Sequence, residues 1–115
     1  MSKIGLAVCL ALALTTVALA KPTTSSQARV KAAQVAVSED LKDPEATRFR
    51  KVVDHWDAKG RYSRICGEFN AKNSYGAYTG YKPFLVFVTD ENKVAMKILG
   101  EDEATAMAAR EKCEG

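Results

Sequence analysis

The chain has 115 residues with 17 Lys and Arg against 14 Asp and Glu, a formal net charge of +3. That length holds one small domain, and so small a charge, with both signs interspersed, provides no general drive toward nucleic acid or anionic membranes. One histidine and three cysteines leave little material for a metal cluster or an activated nucleophile.

The first stretch, MSKIGLAVCLALALTTVALA, places a positive charge at Lys3, then an apolar run, then Ala18-Leu19-Ala20. This is the layout of a secretory signal peptide with cleavage after Ala20. The alternative is an anchor kept in the membrane, but the run from Ile4 to Ala20 includes Thr15 and Thr16 and sits at the short limit for a span. Cleavage predicts a periplasmic or secreted product with a polar leader over 21–26, one domain over 27–115 and no stable membrane insertion. Cys9 leaves with the leader. The two remaining cysteines, Cys66 and Cys113, are expected to pair in an oxidising compartment.

From Gln27 to Lys42, Val30, Ala33, Val37 and Leu41 share one helical face, while Arg29, Lys31, Glu39 and Asp40 lie away from it. Ser25 and Ser26 are available to cap this helix. Asp43-Pro44-Glu45 stops it and opens a short second helix over Pro44 to Arg48 that delivers Phe49 to the core. Four strands follow: Arg50 to Trp56, Arg61 to Ala71 across the turn Asp57-Ala58-Lys59-Gly60, Lys82 to Thr89, and Lys93 to Leu99. In the third, Phe84, Val86 and Val88 alternate with Leu85 and Phe87, so both faces are apolar and the strand is central and covered on both sides. In the fourth, Val94, Met96 and Ile98 make a single buried face. In the second, Ile65, Gly67 and Phe69 share a face and Cys66 points the other way, so a disulfide requires the C-terminal helix on the side opposite Ile65, unless a bulge at Gly67 redirects the chain. That last helix, Glu101 to Lys112, carries acids at its start and bases near its end, as the helix dipole favours. The expected fold is α+β: an N-terminal helix, a short second helix, a four-stranded antiparallel sheet, a C-terminal helix and one disulfide.

Few residues suggest chemistry. His55 lies at a hairpin end, and its neighbour Asp54 points to the opposite face of a strand, so a general base oriented by that carboxylate is not expected. The cysteines and scattered acids lack metal-site spacing, so neither metal nor cofactor is expected. Gly76 and Gly80 lie between strands, with no helix start to cradle a phosphate. GYKPFLVFV has a passing likeness to an RNA-recognition strand but lacks its Gly-aromatic-Gly core, and nucleic acid is not an expected partner. The distinctive stretch is Cys66 to Phe84, with Tyr75, Tyr78, Tyr81 and Phe84 at intervals of three. Its Asn and Gly residues predict an irregular connection from Lys72 to Gly80. Phe84 belongs to the core, and Tyr81 shares that option. Tyr75 and Tyr78 are candidates for either an exposed contact loop or a sheet corner. As a loop, Asn73, Tyr75, Tyr78 and Tyr81 would form a binding surface, since a tyrosine offers a flat apolar ring with a polar edge.

Leu41-Lys42-Asp43-Pro44-Glu45-Ala46-Thr47-Arg48-Phe49, followed by the block from Cys66 through Asn70, Lys72-Asn73, Gly76, Tyr78 and Gly80, resembles a group of short exported bacterial and prophage proteins of unknown function. Those share a KDPxxxxF element and a CGxxNxKNxxGxYxG block. The resemblance implies a bacterial envelope protein and brings no activity, catalytic residue or ligand. Cys113 lies outside it, so the disulfide rests on counting and export alone. The expected role is non-enzymatic: a binding or inhibitor-like module whose Asn73 to Tyr81 loop contacts an envelope protein or cell-wall glycan. The alternatives are a small hydrolase using Glu68 and His55, and a structural component of a secretion or phage-related assembly.

Overall fold

The computed structural model describes residues 25–114, so the signal peptide, its cleavage point and most of the polar leader lie outside the described residues. Along the chain come α1 (Ser26–Ser38), a 3-10 turn (Pro44–Ala46), β1 (Arg48–Asp57), β2 (Tyr62–Lys72), β3 (Tyr78–Thr89), β4 (Val94–Leu99) and α2 (Glu103–Glu114). The strands form one antiparallel sheet in the order β1-β2-β3-β4. The fold is therefore α+β, with two helices, a four-stranded antiparallel sheet and a Cys66–Cys113 disulfide.

The two faces of β3 go to different helices. Phe84, Val86 and Val88 join Ile65 and Phe69 of β2 against Ala33, Ala36 and Val37 of α1. Leu85 lies on the other face with Cys66 and Ala109 of α2. β2 passes through Gly67 without a bulge, so adjacent residues alternate and Cys66 faces away from Ile65. α2 meets it there, with the two disulfide Cα atoms 6.0 Å apart. Gly67 is glycine for room: a Cβ would stand 2.9 Å from the Phe84 ring and 3.1 Å from the Val52 backbone. Into that space Phe84 packs edge-on to Phe49, with ring centroids 5.8 Å apart, and against Phe69 at 6.4 Å.

The structure moves several expected boundaries. α1 begins at Ser26, one residue before the expected Gln27, with Ser25 accepting from Ala28 N, and ends at Ser38 rather than Lys42. Lys97 of β4 reaches the end of α1, donating to the Ala36 carbonyl at 2.9 Å and to Glu39 and Asp40 at 3.0 and 2.6 Å. It thereby satisfies a carbonyl that the helix end leaves without a partner. The Asp40 hydrogen bond chiefly raises the Lys97 pKa, against an opposing effect of burial. The second helix is only the 3-10 turn, because Thr47 is already extended, so Phe49 reaches the core from a strand. β3 starts at Tyr78, four residues before the expected Lys82, which confines the irregular connection to 73–77. Pro83 is tolerated there because its carbonyl, and so its nitrogen, faces the β4 side, where Gly100 N donates to it just beyond the last pair, Phe84 with Leu99. β4 also departs from its single apolar face. A bulge between the pairs Phe87–Met96 and Val88–Val94 turns Val94 toward α1 while Met96 and Ile98 stay on the α2 face.

Arg29 is the main reversal. Its charge placed it on the solvent side of α1, yet only 6% of it is exposed. Its guanidinium lies 4.2 Å from the Trp56 ring centroid and 3.0 Å from Asp54, which also accepts from Ser26 at 2.8 Å. Burial works to raise the Asp54 carboxyl, but the hydroxyls of Ser63 and Ser26 and the Arg29 cation overcome it and hold the group below its usual pKa. A carboxyl lowered by folding contributes stability above its unfolded value near 3.9 and loses it as pH falls through the folded value. Asp54→Asn is expected to cost about 2–3 kcal/mol at neutral pH, since a buried guanidinium is left without its carboxylate. Urea denaturation should also show a smaller further loss for this variant than for the parent between neutral pH and roughly pH 3.

Candidate functional site

The loop joining β2 to β3 is built around Asn73. Its side-chain oxygen accepts from Tyr75 N at 2.9 Å and Ala77 N at 3.1 Å, and its backbone N–H donates to the Ala77 carbonyl at 2.8 Å. Gly76, with φ +77°, supplies the left-handed residue that closes the turn. Lys42 ties the loop to the segment after α1 by donating to the Ser74 hydroxyl. The outcome is a braced loop whose tip, Tyr75, is 95% exposed.

The four expected site residues therefore separate. Asn73 shapes the loop and Tyr75 is presented by it. Tyr78 and Tyr81 lie in β3, half-buried. The Tyr78 hydroxyl donates to the Ala46 carbonyl at 2.8 Å, pinning the 3-10 turn to the sheet. Its ring carries the Arg48 guanidinium at 4.1 Å and the Lys72 ammonium at 5.3 Å, and the Tyr81 ring carries the Arg50 guanidinium at 3.7 Å.

These cations belong to a surface that sequence reasoning missed. Arg48 and Arg50 alternate along β1, pairing with Asn70 and Glu68, and so share the α2 face of the sheet. α2 covers Leu85 and Cys66 but leaves Arg48, Arg50, Val53 and His55 of β1 exposed. Between them a bulge with Lys51 at φ +53° carries a further cation outward, 73% exposed. Glu68 answers both Arg50 at 3.1 Å and Lys51 at 3.5 Å. Burial would raise its carboxyl, but those two cations hold it below the usual range. The available signal was the Arg-Phe-Arg alternation at 48–50, which on a strand turns both charges to one side.

The Glu68 and His55 pairing is not assembled. His55 lies opposite Arg64, four residues along β2 from Glu68, or about 13 Å. A Glu held ionised by two cations is also a poor proton donor. Beside Glu68, a cleft of about 440 Å³ opens between the sheet and the end of α2, bordered by Lys51, Pro83, Ala109, Arg110, Glu114 and the disulfide. Among the described residues, no group of His, Cys, Asp and Glu is placed to hold a metal ion, and no helix is long and apolar enough to cross a membrane.

Comparison with protein-family models, with curated proteins and with solved structures finds no match to any of them.

Proposed function

We propose that the protein is an exported, non-enzymatic binding module of the bacterial envelope that contacts an envelope protein or cell-wall glycan through the Tyr75 loop. The observation that carries this reading is the exposure of a large aromatic at 95% on a loop braced by four hydrogen bonds between Asn73 and Tyr75, Gly76 and Ala77. An exposed ring contributes nothing to the core, and a loop already held in one shape loses little entropy on binding. The disulfide supports an oxidising compartment.

Tyr75→Ala is expected to change folding stability by about 0.5 kcal/mol or less, as surface substitutions do. An aromatic anchor at an interface costs about 2 kcal/mol on truncation, a roughly thirtyfold loss of affinity. A photo-crosslinking phenylalanine analogue in place of Tyr75 finds that partner. In envelope extract it should yield a discrete adduct that the same analogue at exposed Lys59 does not, and Tyr75→Ala protein should lose affinity for the component so identified. Identical labelling from both positions, or a large loss of stability in Tyr75→Ala, removes the loop from the account.

A further inference from the structure

The open half of the α2 face gathers Arg48, Arg50, Lys51 and Lys72 about Glu68, and Arg110 and Glu114 of α2 border the adjoining cleft. This corner holds as much excess positive charge as the entire chain, whose net charge is +3. Its charges are also poised. Arg50 meets Glu68 through Nε with its guanidinium over the Tyr81 ring, and the N–H groups on the far edge of that guanidinium remain to donate. Arg48 stacks on Tyr78 and pairs with no carboxylate among the described residues. Guanidiniums fixed on aromatic platforms lose less freedom on meeting a carboxylate than free side chains do.

We propose that this face seats an acidic segment of a partner protein, with carboxylates on Arg48 and Arg50 and an apolar side chain in the neighbouring cleft. Charge complementarity sets the sign of the partner. Two features select a protein over other polyanions. The tyrosine rings already carry cations, so they are poor platforms for the base stacking that holds single-stranded nucleic acid. The cleft beside Lys51 and Glu68 has an apolar floor of Pro83, Ala109 and the disulfide within a rim that Arg110 and Glu114 complete, and sulfated glycans and nucleic acids have no aliphatic side chain to place there. Arg and Tyr are also the residues that dominate binding energy where proteins meet. The inference rests on the reading of the protein as a binding module but uses a surface other than the Tyr75 loop.

The test uses fluorescence anisotropy of a labelled glutamate-rich peptide containing one leucine, beside the same peptide with serine in its place, with dextran sulfate and oligothymidylate as competitors. The leucine peptide is expected to bind more tightly than the serine peptide and to resist both competitors. Arg48→Gln should weaken it about tenfold, a typical effect for an interface arginine. Lys93→Gln, the same charge change in the β3–β4 turn, should leave it unchanged. Thermal unfolding checks each variant, and Lys72→Gln, expected to weaken binding severalfold, replaces Arg48→Gln if that variant is poorly folded. Equal losses from Lys93→Gln and the face variants overturn the site, as does absence of binding. Equal affinity for the leucine and serine peptides, or displacement by dextran sulfate or oligothymidylate at lower concentration, overturns the assignment to a protein. Because Tyr75→Ala should not alter this assay, failure here is distinguishable from failure of the loop reading.

Discussion

Phe84→Ala should lower folding stability by about 3–5 kcal/mol, read as a shift of the urea midpoint with the slope unchanged. Phe84 is fully buried, packs edge-on to Phe49 and at a tilt against Phe69, and occupies the room that Gly67 provides. Its removal therefore leaves a hole bounded by strands on either side, where the backbone cannot collapse without breaking sheet hydrogen bonds. A domain of this size has roughly 5–10 kcal/mol of stability altogether, so the variant should be close to unfolding at physiological temperature. A loss below about 1 kcal/mol would falsify the placement of this ring at the centre of the core.

Opening the disulfide has an effect of similar size through the unfolded chain. Cys66 and Cys113 are 47 residues apart, and closing a loop of that length is worth about 4 kcal/mol on the chain-entropy estimate. The Cys66→Ala/Cys113→Ser double variant is expected to lose about that much. The loss should come with preferential loosening of α2, because Ala106 and Ala109 are the only residues of that helix that are buried and both are small. Hydrogen exchange should find the α2 amides opening before those of β2 and β3, whereas in the parent the bond holds the helix end to the sheet. Uniform loss of protection across the domain would mean that α2 is held mainly by packing.

Much of the scaffold was legible in local patterns. Two-sided apolar alternation in Phe84 to Val88 announced a covered central strand, because a strand's side chains must alternate. The same alternation placed Cys66 opposite Ile65 and so put α2 on the face away from α1. Features set by contacts between distant segments were not legible. The burial of Arg29 depends on Asp54, 25 positions away, and on Trp56. The carbonyl left open at the early end of α1 is met by Lys97, 61 positions away in β4. The reversal of Val94 depends on a bulge at which no local residue type demanded one.

The candidate surfaces divide the same way. By itself the sequence determined the turn that presents Tyr75, since Asn73 and Gly76 act on their own neighbours through short-range hydrogen bonding and backbone sterics. Only the tertiary structure decided that Tyr78 and Tyr81 lie beneath arginines and that the cations gather on one open face. A net charge sums over the whole chain, whereas a patch depends on which strand faces a helix leaves uncovered. Here α2 is bound to Cys66 and lies over Leu85, and the β1 half of that face, with Arg48 and Arg50, stays open.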